Sequence, residues 1–185
     1  MAASTSPTRL IILGGFAGTG KTTIARKISA EFNIPLLSSD DFIAGLQGPL
    51  GKDFHSTAPI AYDVLFHILY RHLSNGVTAI LDANMCHQRT WDEVDKLLKK
   101  VPDTVCISIV LDAPLEVIKE RVDFRGKNDP EHVNLGGDSL EDVLHKYDFI
   151  RAFDRPGLIR IDSNQRTDAV YAAVLSAVGN LSLRT

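Results

Sequence analysis

Gly15-Phe16-Ala17-Gly18-Thr19-Gly20-Lys21-Thr22 follows the spacing G-x-x-x-x-G-K-[ST], and it stands between an aliphatic run and a stretch with helical character. Glycines let the backbone curl until several N–H groups face one anion, and the positive end of a following helix dipole adds to the attraction. That combination suits a triphosphate. Lys21 would reach the outer phosphates, Thr22 would offer its hydroxyl to magnesium, and the nucleotide contact is expected to run on to Thr23. A dinucleotide pattern, G-x-G-x-x-G, can start at Gly18, but its third glycine would fall on Thr23. A guanine-reading N-K-x-D segment is absent from the sequence. A small nucleotide-dependent phosphotransferase, or a hydrolase of the same build, remains.

Moving a phosphoryl group to an alcohol needs a phosphate cradle, a metal, cations over the transferred group and a base for the acceptor's proton. Candidates for the base come from Ser38-Ser39-Asp40-Asp41, where either carboxylate could take the proton or cap the short helix expected over Phe42 to Leu46. Val77 to Leu81 leads into Asp82, placed to be a second magnesium ligand beside Thr22. Asp112, followed by Ala113-Pro114, reads instead as the start of a helix. Arg121 and Arg125, four apart, share one helix face ahead of the polar segment from Gly126 to Asp138. That segment reads as a lid, whose closure would carry the arginines to the transferred charge; the alternative is ion pairing with Glu120 and Asp123.

These residues need a scaffold that brings them to one edge. Aliphatic runs predict strands over Leu10 to Gly14, Pro35 to Ser38, Val77 to Asp82, Val105 to Leu111 and Leu158 to Ile161. Helices are expected near Thr22 to Phe32, Pro59 to Leu73, Thr90 to Lys100, Pro114 to Arg125, Ser139 to Phe153 and Thr167 to Val178. Pro59 and Pro114 suit first turns, Ser139 to Asp142 a capping box, and Asn75-Gly76 and Val101-Pro102 helix stops. The alternation predicts one three-layer α/β/α domain over residues 1–185, with a five-stranded parallel sheet whose ligands sit at the strands' carboxyl ends. Residues 1–8 read as a frayed tail.

Composition bounds the partners. A net charge of −3 and a pI near 6.0 do not suit a protein that grips nucleic acid by bulk charge. The sequence contains no apolar stretch long enough to span a membrane and begins with no charged-then-apolar leader, so a cytoplasmic location is expected. Cys86 and Cys106 form no C-x-x-C pair.

Taken together, the motifs resemble the P-loop kinases of the polynucleotide-kinase, zeta-toxin and gluconate-kinase kind, from Leu10 through about Ser163. Leu81-Asp82-Ala83-Asn84 followed by Arg89 and Trp91 is similar to the D-x-N segment and next helix of phage-type polynucleotide 5′-kinases. The resemblance implies ATP and Mg2+, Asp40 as the general base, Arg121 and Arg125 as lid arginines with Arg125 on the donor phosphates, and adenine against Ile161 to Asn164. One position departs from it. Where the polynucleotide kinases carry an arginine for an acceptor phosphate, three residues after the base, this chain has Ile43. The glycine-rich stretch from Gly45 to Ser56 is expected to form an exposed loop in the acceptor pocket, where Lys52 or His55 either contacts the acceptor or, as the favoured reading, is simply solvated. A small-molecule hydroxyl acceptor is therefore expected, with a polynucleotide 5′-hydroxyl second and an ATP-binding module acting through a protein partner third.

Overall fold

The computed structural model describes residues 7–128 and 140–179, with backbone alone at 125–128 and 140–142. The expected capping box at Ser139 to Asp142 and the lid from residue 129 onward lie outside what is described, as does most of the expected tail.

Five strands form one sheet: β1 (Arg9–Gly15), β2 (Leu36–Ser38), β3 (Ala79–Asp82), β4 (Val105–Asp112) and β5 (Leu158–Asp162). Their order is β2-β3-β1-β4-β5 and every pairing is parallel. The central strand shows why. Leu10, Ile11, Ile12 and Leu13 are each 0% exposed, so both faces of β1 are covered. Side chains alternate across a strand, and the core divides accordingly. Leu10 and Ile12 join one cluster with Leu65, Leu69, Trp91, Val94 and Ile118; Ile11 and Leu13 join the other with Ile24, Ile28, Val170 and Val174. Truncating one of these four to alanine would cost about 2–5 kcal/mol.

The helices follow from that division. α1 (Lys21–Phe32) and α7 (Thr167–Val178) cover one face. α3 (Phe54–Ser74), α4 (Gln88–Lys100), α5 (Leu115–Asn128) and α6 (Leu140–Ala152) contribute to the cluster on the other, where α2 (Ser39–Leu50) packs along α3. Because the sheet is all parallel, Gly15, Ser38, Asp82, Asp112 and Asp162 end their strands at the same edge. The chemistry collects there.

Several expected boundaries move. β3 begins at Ala79 because Val77 N–H is spent on His72 C=O, closing α3 with Gly76 at φ 72°. α3 starts five residues before Pro59, since the Asp53 carboxylate accepts from Ser56 N at 2.9 Å and caps the helix there. The glycine-rich stretch expected as a loop is mostly helix. α2 runs unbroken through Gly45, Gly48 and Pro49, glycines that face open space, while the helix buries Ile43 and packs Phe42 against the core. Tertiary packing outweighs their low propensity. Asp112 does not serve as a helix start; its carboxylate pairs with Arg151 of α6 at 3.4 Å, and its C=O accepts from Ser163 N and Oγ.

Candidate active site

The loop from Gly15 to Gly20 joins β1 to α1 and needs glycine for two different reasons. Gly15 has φ 138°, and a Cβ there would come within 2.3 Å of Leu111 O. Crowding alone excludes a side chain. Gly20 has open space around it but takes φ 89°, a left-handed value that favours glycine. α1 therefore opens without a side-chain cap, and its first amides are left to a ligand. Phe16 C=O holds the loop's shape by accepting from Thr19 Oγ1 at 2.8 Å and Lys21 Nζ at 3.0 Å. Phe16 also sets its ring edge-on to Tyr147 of α6, 5.8 Å between centroids.

Asp82 is 3% exposed and accepts from Thr22 Oγ1 at 2.7 Å. Burial holds its carboxyl above the ordinary carboxylate range; the Lys21 charge and the Thr22 hydrogen bond oppose that, and Asp40 and Asp41 reinforce it. A buried carboxylate beside a hydroxyl, with two further carboxylates in electrostatic reach, is a hard-oxygen set. It fits magnesium, which takes one or two carboxylates and draws its remaining ligands from water and phosphate. Gly15 N–H donates to Asn84 C=O and Ala83 N–H to Leu13 C=O, tying loop and Asp82 segment together.

Asp40 and Asp41 occupy the first turn of α2, where the helix dipole favours negative charge. They differ in setting. Asp40 is half-buried, lies 3.5 Å from the Ser39 hydroxyl and lines a cavity of about 400 Å³; Asp41 is exposed. The cavity runs between α2, α3 and the start of α4, past Ile43, Phe54, Tyr62, Phe66, Met85 and Arg89. Burial pushes the Tyr62 phenol up to about 12, the Ser39 hydroxyl opposing and the Asp40, Cys86 and Asp82 charges adding. Burial likewise lifts the Cys86 thiol to about 11, which keeps it an inert wall.

Trp91 is structural. Its indole N–H donates to Met85 C=O at 3.0 Å and its ring stacks on Phe153 at 4.8 Å, pinning the turn where Met85 takes φ 57°. Arg89, on the same helix, stands exposed at the cavity's mouth.

A second cavity, about 270 Å³, opens on the other side of the loop between Gly18, Gly20, Thr23, Arg121, Ser163 and Gln165. Arg121 forms its wall, donating to Ser163 C=O at 2.9 Å and Gly18 C=O at 3.4 Å. The Arg125 side chain lies outside the described residues, although α5 carries its backbone on to Asn128. Gly126 to Asn128, expected in the lid, are thus helical. His55, expected to be either solvated or an acceptor contact, is exposed and lines the larger cavity. Phe54, Tyr62 and Phe66 gave no sequence signal, being common helix aromatics until the fold places them together.

Residues 10–150 match the family model described as AAA domain. The chain belongs to the AAA domain family. As an AAA domain it is also similar to ClpX, the ATP-binding subunit of an ATP-dependent Clp protease, from Borrelia duttonii (strain Ly), 29% identical over 90 residues. That match takes in 49% of this chain and 18% of the relative's length. Among solved structures, this AAA domain shares its fold with a Chloroflexus aurantiacus protein assigned as a kinase, at TM-score 0.73 and 24% identity over 91% of this chain and 97% of that one. A sugar kinase from Janibacter sp. HTCC2649 follows at 0.66 and 21%, over 93% and 95%. The APS kinase of Mycobacterium tuberculosis, in complex with AMPPNP and APS, matches at 0.65 and 16%, over 93% and 98%. The fold is that of the P-loop kinases. No helix among the described residues is long and apolar enough to cross a membrane.

Proposed function

We propose that this AAA domain is an ATP- and magnesium-dependent kinase that moves the γ-phosphate to a hydroxyl of a small molecule. One observation carries the reading: Asp40 lines a cavity of about 400 Å³ while Asp82, within electrostatic reach of it, engages Thr22 of the phosphate loop. Donor and acceptor machinery meet at one carboxylate pair. The loop amides and Lys21 hold the phosphates, Thr22 and Asp82 hold magnesium, and Arg121 bounds the nucleotide cavity. Bound magnesium supplies charge neutralisation over the phosphates. Asp40 accepts the acceptor hydroxyl's proton at its carboxylate, which favours it over exposed Asp41 as the base. Arg125 completes the charge over the transferred group from the lid. Support for a small acceptor comes from Ile43, 2% exposed among the cavity's wall residues, where a charged contact for a nucleic-acid phosphate would otherwise stand.

The test is transfer of label from γ-labelled ATP into pools of small hydroxyl compounds. Label should move to an organic acceptor in the native protein and fail to in Asp40→Asn. Release to water alone, unchanged in Asp40→Asn, would point instead to an ATPase working through a protein partner.

A further inference from the structure

The acceptor cavity is lined mostly by carbon. Phe54, Tyr62 and Phe66 come from α3, Phe54 about two turns before Tyr62 and Phe66 one turn after it, with Met85 (1% exposed) and Ile43 (2% exposed) alongside. Tyr62 and Phe66 stack, 6.4 Å between centroids and 29° between planes. The polar groups that line it stand mostly toward solvent: His55, Asp63, His87 and Arg89 are exposed, and Glu93 pairs with Lys96 at 2.7 Å, while Asn84, Thr90 and Lys146 are half-buried. Tyr62's phenol is turned to the Ser39–Asp40 side. A compound with a hydroxyl on every carbon would bury several of them against rings and thioether with nothing to replace their water. A flat apolar body would bury its faces against the aromatic wall and keep a single hydroxyl for Asp40.

Building on the kinase reading above, we propose that the acceptor is an alcohol carried on an apolar, ring-bearing body, not a polyol. The ring sits among Phe54, Tyr62 and Phe66, and the hydroxyl meets Asp40. Phe54 sets the specificity most accessibly, because it walls the cavity while standing outside both core clusters.

The experiment is titration of the full chain, loaded with a non-hydrolysable ATP analogue and magnesium, with 2-phenylethanol, tryptophol, glycerol and glucose, followed by ligand-observed NMR. The aryl alcohols should bind at least about tenfold more tightly than either polyol, from ring area taken out of water. Phe54→Ala should weaken the aryl alcohols by about tenfold and Phe54→Leu by less, with nucleotide affinity and thermal midpoint unmoved. Equal or tighter binding of glycerol or glucose, no aryl binding, or aryl affinity untouched by Phe54→Ala would each overturn the inference. Label transfer from γ-labelled ATP is read on the same samples. Ring binding without transfer to any alcohol leaves the cavity's chemistry standing and removes the kinase reading; transfer to polyols alone does the reverse.

Discussion

The two cavities flanking the phosphate loop are built by opposite means. On the nucleotide side, backbone does most of the work: glycines at φ values other residues avoid, uncapped amides at the start of α1, and Arg121 held by two carbonyls. On the acceptor side, side chains do it, from α2, α3 and the segment after β3. A site made of backbone tolerates few changes and serves any chain that keeps the loop. A site made of side chains can be re-cut one residue at a time without touching the loop, so one fold can serve acceptors as unlike as those of a sugar kinase and an APS kinase.

Substitutions on the two sides should therefore fail differently, and Lys21→Ala should fail most. It removes the cation from the phosphates, and transfer should drop on the order of 10²–10³-fold or more, with nucleotide affinity falling too, by rapid-quench and equilibrium binding. Asp40→Asn comes next. Loss of a general base costs on the order of 10²-fold in transfer, but nucleotide binding should be retained, which places the damage on the acceptor side alone.

Asp82→Asn separates stability from function. The folded carboxyl titrates above the ordinary 3.8, so between 3.8 and its folded value the folded state holds more of this proton than the unfolded state. The ionised group therefore weighs against folding above that window, and the penalty lifts as pH falls through it. Asp82→Asn should hold or raise the thermal midpoint at neutral pH and lose that pH dependence, by calorimetry, while magnesium-dependent transfer falls. The smallest effect is expected at Thr57, fully buried, whose hydroxyl is the one buried side-chain polar atom without a hydrogen bond among the described residues. Thr57→Val should be neutral or slightly stabilising in chemical denaturation, with transfer unchanged.

The same contrast explains what could be read in advance. The loop, Thr22 with Asp82, and the five parallel strands are local patterns: fixed spacing, or aliphatic runs ending in a carboxylate. The start of α2 was legible over Phe42 to Leu46, but its continuation to Leu50 was hidden because glycine and proline argue against helix locally, and only packing along α3 reverses that. Asp53 was hidden as a cap because Pro59 offered a later and plausible start. The acceptor cavity had no local signature at all. Ile43, Tyr62 and Met85 become neighbours only when the α2–α3 pair folds back beside β3.

Trp91 offers a way to watch these two sides communicate. It is the chain's single tryptophan, so its emission has one source. Its nitrogen is tied to Met85, in the acceptor wall, and its face to Phe153, just past α6, whose Tyr147 touches the phosphate loop through Phe16. One fluorophore thus sits between the wall of the larger cavity and α6. A stopped-flow emission trace on mixing with nucleotide, then with alcohol, would give the order in which the two sides settle, with no label attached.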